Sequence, residues 1–485
     1  MESPERLANY IDGEWRESSA TQYAPVPNPA TGRTIASVPL SPPADVDAAA
    51  AAAQRALPGW MRTPVTERVQ YLYRLKHLLE ENVDALSRSV TEEAGKTFAE
   101  SKGEVLRGIE NVEVACGAPS LIQGWTNEDV ARGIDEHMLR QPVGVVAAIT
   151  PFNFPAMVPL WFLPYALACG NCFILKPSDK TPVTSRKLAE LINELGLPRG
   201  VFQVVHGGKE TVDAIIDHPG IGGISFVGST AVARYVYGRG ASAGKRMQCQ
   251  GGALNPVAIM PDADMTAAAL AMSDAAYGCA GQRCLAPEVA IAVGEAYRPF
   301  SEAMAEATIK RKVGYGLDPG VETGPMIRPE AKERVERLVA QAEAGGAEVL
   351  VDGRGKRVSG YEDGFFLFPT LLRAVPAGSE LYKTEAFGPV LRLESADSLD
   401  EAIRLVNARS YGNMACIFTG SGASARKFRQ EVHAGNVGIN VGVAAPMAFY
   451  PFSGWGDSFF GDLHAEGRHA VEFYTQTKVV VERWG

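Results

Sequence analysis

The sequence predicts an α/β protein built on two parallel sheets, and three observations carry that reading. Between residues 143 and 227 short apolar runs alternate with helical segments of about a dozen residues, the rhythm of βαβ units. Residues 143–175 contain no charged side chain, as strands and helices covered on every face require. A second alternation of the same kind occupies residues 257–440. The 485 residues, 46% hydrophobic and 21% charged, supply core material for two or three domains.

Taken in order, residues 8–11 and 34–38 read as short strands between turns at 12–13 and 29–32. The Ala-rich run 47–57 reads as a helix stopped by Pro58 and Gly59. Apolar side chains at 69, 72, 75, 78, 79 and 83 make 66–90 one long amphipathic helix, and 92–122 continues as helix with a break near 117–119. Residues 123–142 are polar, extended and without helical period, which suits a projecting hairpin. Then come a buried strand at 143–149, a helix at 156–168, a strand at 173–176, a helix at 184–197, a strand at 201–205, a helix at 209–217 and a strand at 223–227. Residues 265–278 form an Ala-rich helix with Asp264 as a candidate N-cap. In the second alternation the strands are 257–259, 289–293, 348–351, 389–393 and 437–440, and the helices are 297–312, 329–344, 400–407 and 424–432. Residues 471–482 alternate enough for an extended edge segment.

Several classes of function are excluded. A net charge of −9 with no basic block argues against nucleic acid as a partner. A membrane-spanning reading of 143–175 fails because Pro151, Pro155, Pro159 and Pro164 would leave backbone groups unpaired in lipid. The polar, acidic N-terminus is no signal peptide, and seven cysteines in no regular framework read as reduced thiols of a cytoplasmic protein. Cys169 and Cys172 are spaced C-x-x-C, but no second pair or histidine cluster completes a metal site, so none is expected.

Chemistry concentrates in a few turns. The stretch 278–286 carries Cys284 between small residues, where a substrate can approach, and Arg283 beside it would favour the thiolate. Read from the residues alone, Cys284 is either a nucleophile or an inert buried thiol. Asn153 sits on a Pro-flanked turn after a buried strand, where ligands gather in open α/β sheets. It is either an oxyanion donor or a turn-forming asparagine. Lys176 follows the next strand, and 226–230 follows a later one and opens a helix whose amides could cradle phosphate. Gly-rich turns at 248–252 and 385–389 complete the set, and no Ser-His-Asp arrangement is visible.

In this order and at these spacings the elements resemble the NAD(P)-dependent aldehyde dehydrogenase superfamily over nearly the whole chain. Asn153 lies 23 residues before Lys176, and Gln250 lies 34 before Cys284, as the key positions of that family do. Within it, the chain is similar to CoA-acylating methylmalonate-semialdehyde dehydrogenases in PFNFPAMVPLW (151–161), CGN (169–171), ISFVGS (224–229) and MPDAD (260–264). The likeness continues in AGQRC (280–284), VDGR (351–354), GYEDG (360–364) and FYTQTK (473–478). The resemblance implies an aldehyde dehydrogenase-like fold. A Rossmann-like NAD-binding domain would span 1–122 and 143–250, and a catalytic domain 251–440. Oligomerisation and C-terminal segments would be 123–142 and 441–485, with a homodimer or homotetramer expected.

The resemblance also implies roles. Cys284 is the nucleophile and Asn153 the oxyanion donor. Thr150, Phe152, Lys176, Ser178, Asp179, Gly228, Ser229, Glu385 and Phe387 hold NAD, with NADP as the alternative because Asp179 stands where glutamate is usual. Arg107, Phe154 and Arg283 hold the substrate, a small carboxylated aldehyde. Gln250 occupies the general-base position of hydrolytic relatives, where the subfamily usually has asparagine, and Leu254 stands where it usually has lysine. An amide has no basic lone pair at neutral pH, so a thioester on Cys284 would await the thiol of CoA, the acyl acceptor. In the methylmalonate case the acyl group loses CO2 before transfer. The alternatives are a hydrolytic aldehyde dehydrogenase and a catalytically silent scaffold of the same fold.

Overall fold

Two sheets of mainly parallel strands organise the chain. The structure is a computed structural model describing residues 4–484. The first three positions of the N-terminal segment read above, and the last of the segment 441–485, lie outside the described residues. The first sheet has eight strands in the order Phe459–Gly461, Arg246–Gln250, Gly223–Val227, Val145–Ile149, Cys172–Lys176, Phe202–Val204, Asn9–Ile11 and Glu14–Arg16. Its four inner pairings, from Arg246–Gln250 to Phe202–Val204, are parallel, and its three outer pairings are antiparallel. Val145–Ile149 and Cys172–Lys176 are buried at every position, which explains their unbroken apolar sequence.

The second sheet has seven strands, in the order Glu348–Val351, Thr370–Arg373, Val390–Ala396, Pro287–Val293, Asn255–Ile259, Met414–Phe418 and Asn436–Ile439. All of its pairings are parallel except the first. A third, antiparallel sheet joins Trp125–Ala131 and Ile134–Pro142 to Thr475–Glu482, so the expected hairpin is present and the chain end is its third strand. No helix among the described residues is long and apolar enough to cross a membrane.

The helix Met157–Ala168 is apolar all round and buried on every side, as an element enclosed by other elements must be. It packs on the helix Phe98–Cys116 at Gly108, where an added Cβ would come within 2.7 Å of Leu160 Cδ1. These two helices make one wall of the site described below.

Several sequence expectations need correction. The helix expected at 66–90 is two, Val65–Glu81 and Val83–Ala94. At the join Asn82 donates its side-chain amide to the Leu78 carbonyl at 2.8 Å, a local bond that competes with the helical ladder. The segment 92–122 is not continuous either. Gly95 leaves the helix in the left-handed region (φ 83°), Thr97 and Glu100 form a capping box, and Phe98–Cys116 starts afresh. The first helix is longer than read, Pro43–Trp60, and carries Pro58 and Gly59 in its last turn. Residues 471–482 begin inside the helix Gly467–Phe473 and become strand only at Thr475. The strands Arg246–Gln250, Thr370–Arg373 and Met414–Phe418 were not foreseen.

The chain end is tied to the first sheet by a buried network. The Tyr474 hydroxyl lies 2.7 Å from Ser225 Oγ, which also accepts from Gln248 Nε2 at 2.8 Å. Asn171 Nδ2 donates to the Tyr474 carbonyl at 2.9 Å. Tyr474→Phe should leave Ser225 short of a partner and cost about 1–2 kcal/mol. The check is a thermal melt: a lowered transition with unchanged far-UV circular dichroism is expected, and no shift would show the network to be neutral.

Candidate active site

The strand order of the first sheet creates a crevice. Val145–Ile149 is followed in the chain by its neighbour on one side, Cys172–Lys176, while its neighbour on the other side is the later strand Gly223–Val227. At such a reversal the loops at the carboxyl ends diverge and leave room for a ligand. Thr150 stands at this point, and its buried Oγ1 has no hydrogen-bond partner. Lys176 ends the adjacent strand. Burial lowers its pKa, partly offset by Asp179, and the Lys176 carbonyl accepts from the Thr150 amide at 3.1 Å. Ser178 accepts from the Lys180 amide at 3.2 Å and so shapes the following turn.

On the other side of the crevice, Gly228 and Ser229 open the helix Thr230–Ser242. The exposed Ser229 hydroxyl makes no capping bond, so the amides of the first turn face outward. A Cβ at Gly228 would come within 2.5 Å of the Phe226 ring. An open helix N-terminus, an orphaned hydroxyl and a buried lysine suit an extended ligand carrying phosphate and sugar hydroxyls.

A cavity of about 280 Å³ lies next to this crevice and reaches Cys284. Arg107, Phe154, Arg283 and Cys284 all line it, together with Met157, Trp161 and Phe452. Cys284 follows a tight turn, Gly278–Gly281, in which Cys279, Ala280 and Gly281 have φ of 52°, 53° and 71°. At Gly281 only glycine fits, because a Cβ would meet the Gly388 carbonyl oxygen at 2.0 Å. The Cys284 carbonyl accepts from Asn255 Nδ2 at 2.9 Å and from Asn413 Nδ2 at 2.7 Å. Asn255 is at the start of one strand and Asn413 immediately precedes its neighbour, so two strands of the second sheet set the position of the cysteine.

Asn153 is buried, and its Nδ2 donates to the Gln282 carbonyl at 3.0 Å, two residues before Cys284. Its second N–H is free for another acceptor. Gln250, at the end of its strand, points Nε2 at the Phe452 carbonyl, 3.4 Å away in the cavity wall. Phe387 (φ 48°) meets Phe152 edge to face at 5.8 Å. Glu385 Oε1 accepts from the Ala253 amide at 3.1 Å, and a Cβ at Gly252 would lie 2.6 Å from Glu385 Oε2. The turns 150–155, 248–255 and 385–389 thus converge on Cys284 although they are far apart in the chain.

The electrostatics differ from the sequence expectation. Burial pushes the Cys284 thiol up to about 12, and the Glu385 carboxylate adds to the rise. The amides of Cys284 and Leu285 and the Lys96 ammonium oppose it. Arg283 does not favour a thiolate here. Its guanidinium turns to Cys279 Sγ at 3.3 Å and to Glu100 at 3.2 Å. Glu385 is held well above the usual carboxylate range by burial and then by Glu288.

Sequence reasoning missed a supporting set. Glu288 accepts from the Ala386 and Phe387 amides at 2.8 and 2.9 Å and fixes the turn that carries Glu385; burial lifts it to about 7. A lone acid in an otherwise apolar strand was its signal. Lys96 and Glu104 form a buried pair at 2.5 Å. Lys96 Nζ stands 3.5 Å over the Phe154 ring, and Glu104 accepts from the Ala156 and Met157 amides. Their eight-residue spacing spans a helix start, so neither stood out.

Comparison with known proteins agrees with this geometry. The model of the aldehyde dehydrogenase family matches residues 15–480. The chain is 48% identical over 480 residues to a malonate-semialdehyde dehydrogenase of Halalkalibacterium halodurans, covering 99% of each. It is 47% identical over 479 residues to the enzyme of that name from Pseudomonas aeruginosa, covering 99% of this chain and 96% of the other. The crystal structure of methylmalonate-semialdehyde dehydrogenase from Oceanimonas doudoroffii superposes with a TM-score of 0.97 at 44% identity and 99% coverage of both chains. A Sinorhizobium meliloti protein crystallised with NAD gives a TM-score of 0.98 at 41% identity, covering 100% of this chain and 99% of the other.

The raised thiol makes a direct prediction. Alkylation of Cys284 by iodoacetamide, followed by peptide mass spectrometry, should quicken about tenfold per pH unit between about pH 7 and 10 without levelling. A plateau near pH 8 would show that the thiol has an ordinary pKa.

Proposed function

The chain belongs to the aldehyde dehydrogenase family, and from that premise we propose that it oxidises malonate or methylmalonate semialdehyde with NAD, through a thioester on Cys284 that is passed to coenzyme A. The observation that carries the last clause is Gln250, an amide bonded to the Phe452 carbonyl where a hydrolytic enzyme needs a base. The names of the relatives support the substrate class, and the NAD-bound neighbour supports the cofactor.

In this reading Lys176, Ser178 and Asp179 hold the adenine ribose, Gly228 and Ser229 the pyrophosphate, and Glu385 the nicotinamide ribose. Thr150, Phe152 and Phe387 pack around the same cofactor. The unpartnered Thr150 hydroxyl and the open start of Thr230–Ser242 support a fit to that group. Strands of the first sheet form the cofactor domain, and those of the second the catalytic domain. Exposed Trp125, Leu139, Val479 and Val481 on the third sheet support a homodimer or homotetramer. Seven free cysteines support a cytoplasmic setting.

The chain's residues then act as follows. Arg107, Phe154 and Arg283 hold the aldehyde over Cys284. The Cys284 thiol gives its proton to solvent, the thiolate sulfur adds to the carbonyl carbon, and the developing oxyanion takes hydrogen bonds from the free N–H of Asn153 and from the Cys284 amide. Bound NAD supplies the hydride acceptor that turns the adduct into a thioester. Asn255 and Asn413 keep the cysteine backbone still while the carbon changes geometry. Nothing at Gln250 deprotonates water. The thioester therefore persists until the CoA sulfur attacks its carbonyl carbon and the Cys284 thiolate departs. Loss of CO2 from the carboxylated acyl group precedes that transfer.

Steady-state NADH formation from malonate semialdehyde should require CoA, and Gln250→Glu should add CoA-independent release of a carboxylic acid. Equal turnover of the unmodified enzyme with and without CoA would refute acyl transfer and leave a hydrolytic dehydrogenase.

A further inference from the structure

The cavity over Cys284 is lined by four carboxyl side chains: Glu100, Glu104, Glu110 and Glu466. Three have cationic partners, Arg283 at 3.2 Å, Lys96 at 2.5 Å and Arg107 at 2.7 Å respectively. Glu466 has none. It is 4% exposed, its Oε1 accepts from Asn111 Nδ2 at 2.9 Å, and its buried Oε2 has no hydrogen-bond partner. Its backbone has φ 71° and ψ 160°, a combination that glycine alone adopts readily, and the surrounding structure must impose it on a glutamate. Asn111 Nδ2 also reaches the Arg107 carbonyl at 3.3 Å, one turn earlier, so the amide that holds Glu466 lies on the helix face that carries Arg107. An orphaned carboxyl oxygen on a residue that lines the same cavity as Arg107, the group expected to hold the substrate, has no structural explanation.

We propose that Glu466 determines specificity: as a neutral acid its carboxyl donates a hydrogen bond to the substrate carboxylate held by Arg107, and as an anion it repels that carboxylate. The inference rests on the dehydrogenase reading above and extends it to the recognition of the acid group. The charged and titratable groups around Glu466 fit the scheme. Arg107 and Glu110 face it from the helix Phe98–Cys116, Arg107 favouring the anion and Glu110 opposing it. Tyr165 approaches from the helix Met157–Ala168, with its hydroxyl 3.0 Å from Asn111 Oδ1. Burial dominates and lifts the Glu466 carboxyl to about 8, so it is protonated at neutral pH. With the other three carboxyl groups paired, an ionised Glu466 would give the cavity a net negative charge. A neutral one gives it a donor that matches the substrate.

The sign of the pH dependence follows. Below about pH 8 the acid form predominates and the acidic aldehyde binds well; above it the Michaelis constant for that aldehyde rises. A neutral aldehyde is the control, because thiol ionisation at Cys284 affects both substrates alike. The experiment measures kcat and KM for malonate semialdehyde and for propanal, with NAD and CoA, from about pH 6.5 to 9.5. For the unmodified enzyme the ratio of kcat/KM, acidic over neutral, should fall about tenfold between pH 7 and 9, and the change should reside in KM. In Glu466→Gln, and in Glu466→Gly, which suits this backbone and removes the carboxyl, the ratio should be flat. A flat ratio in the unmodified enzyme, or an undiminished fall in both variants, would overturn the inference while leaving the dehydrogenase reading standing. Absence of oxidation of either aldehyde by the unmodified enzyme would overturn that reading, and this inference with it.

Discussion

The carbonyl of Cys284 is held by two side-chain amides, Asn255 and Asn413, and the rest of the site is arranged around that grip. It ties the cysteine backbone to adjacent strands of a parallel sheet that are buried at every position. The preceding turn runs through three consecutive left-handed residues, a conformation that only an over-determined setting sustains. Asn153 binds the same loop from the first sheet through the Gln282 carbonyl. Both halves of the chain thus position the sulfur, and a ligand in the crevice between diverging loops meets it in one orientation.

The second constraint is electrostatic. Near the thiol the structure buries carboxyl groups and raises them: Glu288 to about 7, Glu466 to about 8, and Glu385 well above the usual range. In each case burial is the leading cause, because the charged form loses its water. Lys96 and Glu104 are buried as a close pair, and removing one partner of such a pair costs about 3–5 kcal/mol. The result at neutral pH is a site with little net charge. In the proposed reaction the residue at the water-activating position, Gln250, is an amide and offers the thioester no base.

Much of this was legible in the sequence. Charge-free strands, Gly-rich turns and the spacings from Asn153 to Lys176 and from Gln250 to Cys284 pointed to the fold and to the turns that meet at the cysteine. Helix ends were less legible. Asn82 and Gly95 break what periodicity alone reads as continuous, because apolar spacing reports which face is buried and not where the backbone turns. Arg283 was misread for a similar reason. Adjacency in sequence suggested that its charge served Cys284, but successive residues in a turn point apart, and it serves Cys279 and Glu100. Glu288, Asn255, Asn413 and Glu466 act across distances of tens to hundreds of residues, and no local pattern reveals such partners.

The central claim is that the acyl group on Cys284 outlasts exposure to water because no base activates that water. Intact-protein mass spectrometry tests it most directly. The enzyme is mixed with NAD and malonate semialdehyde without CoA, quenched in acid after several turnover times, and weighed. The account predicts a stoichiometric acyl adduct that maps to Cys284 and disappears when CoA is added. An unmodified protein mass, with free carboxylic acid accumulating beyond one equivalent, would contradict it.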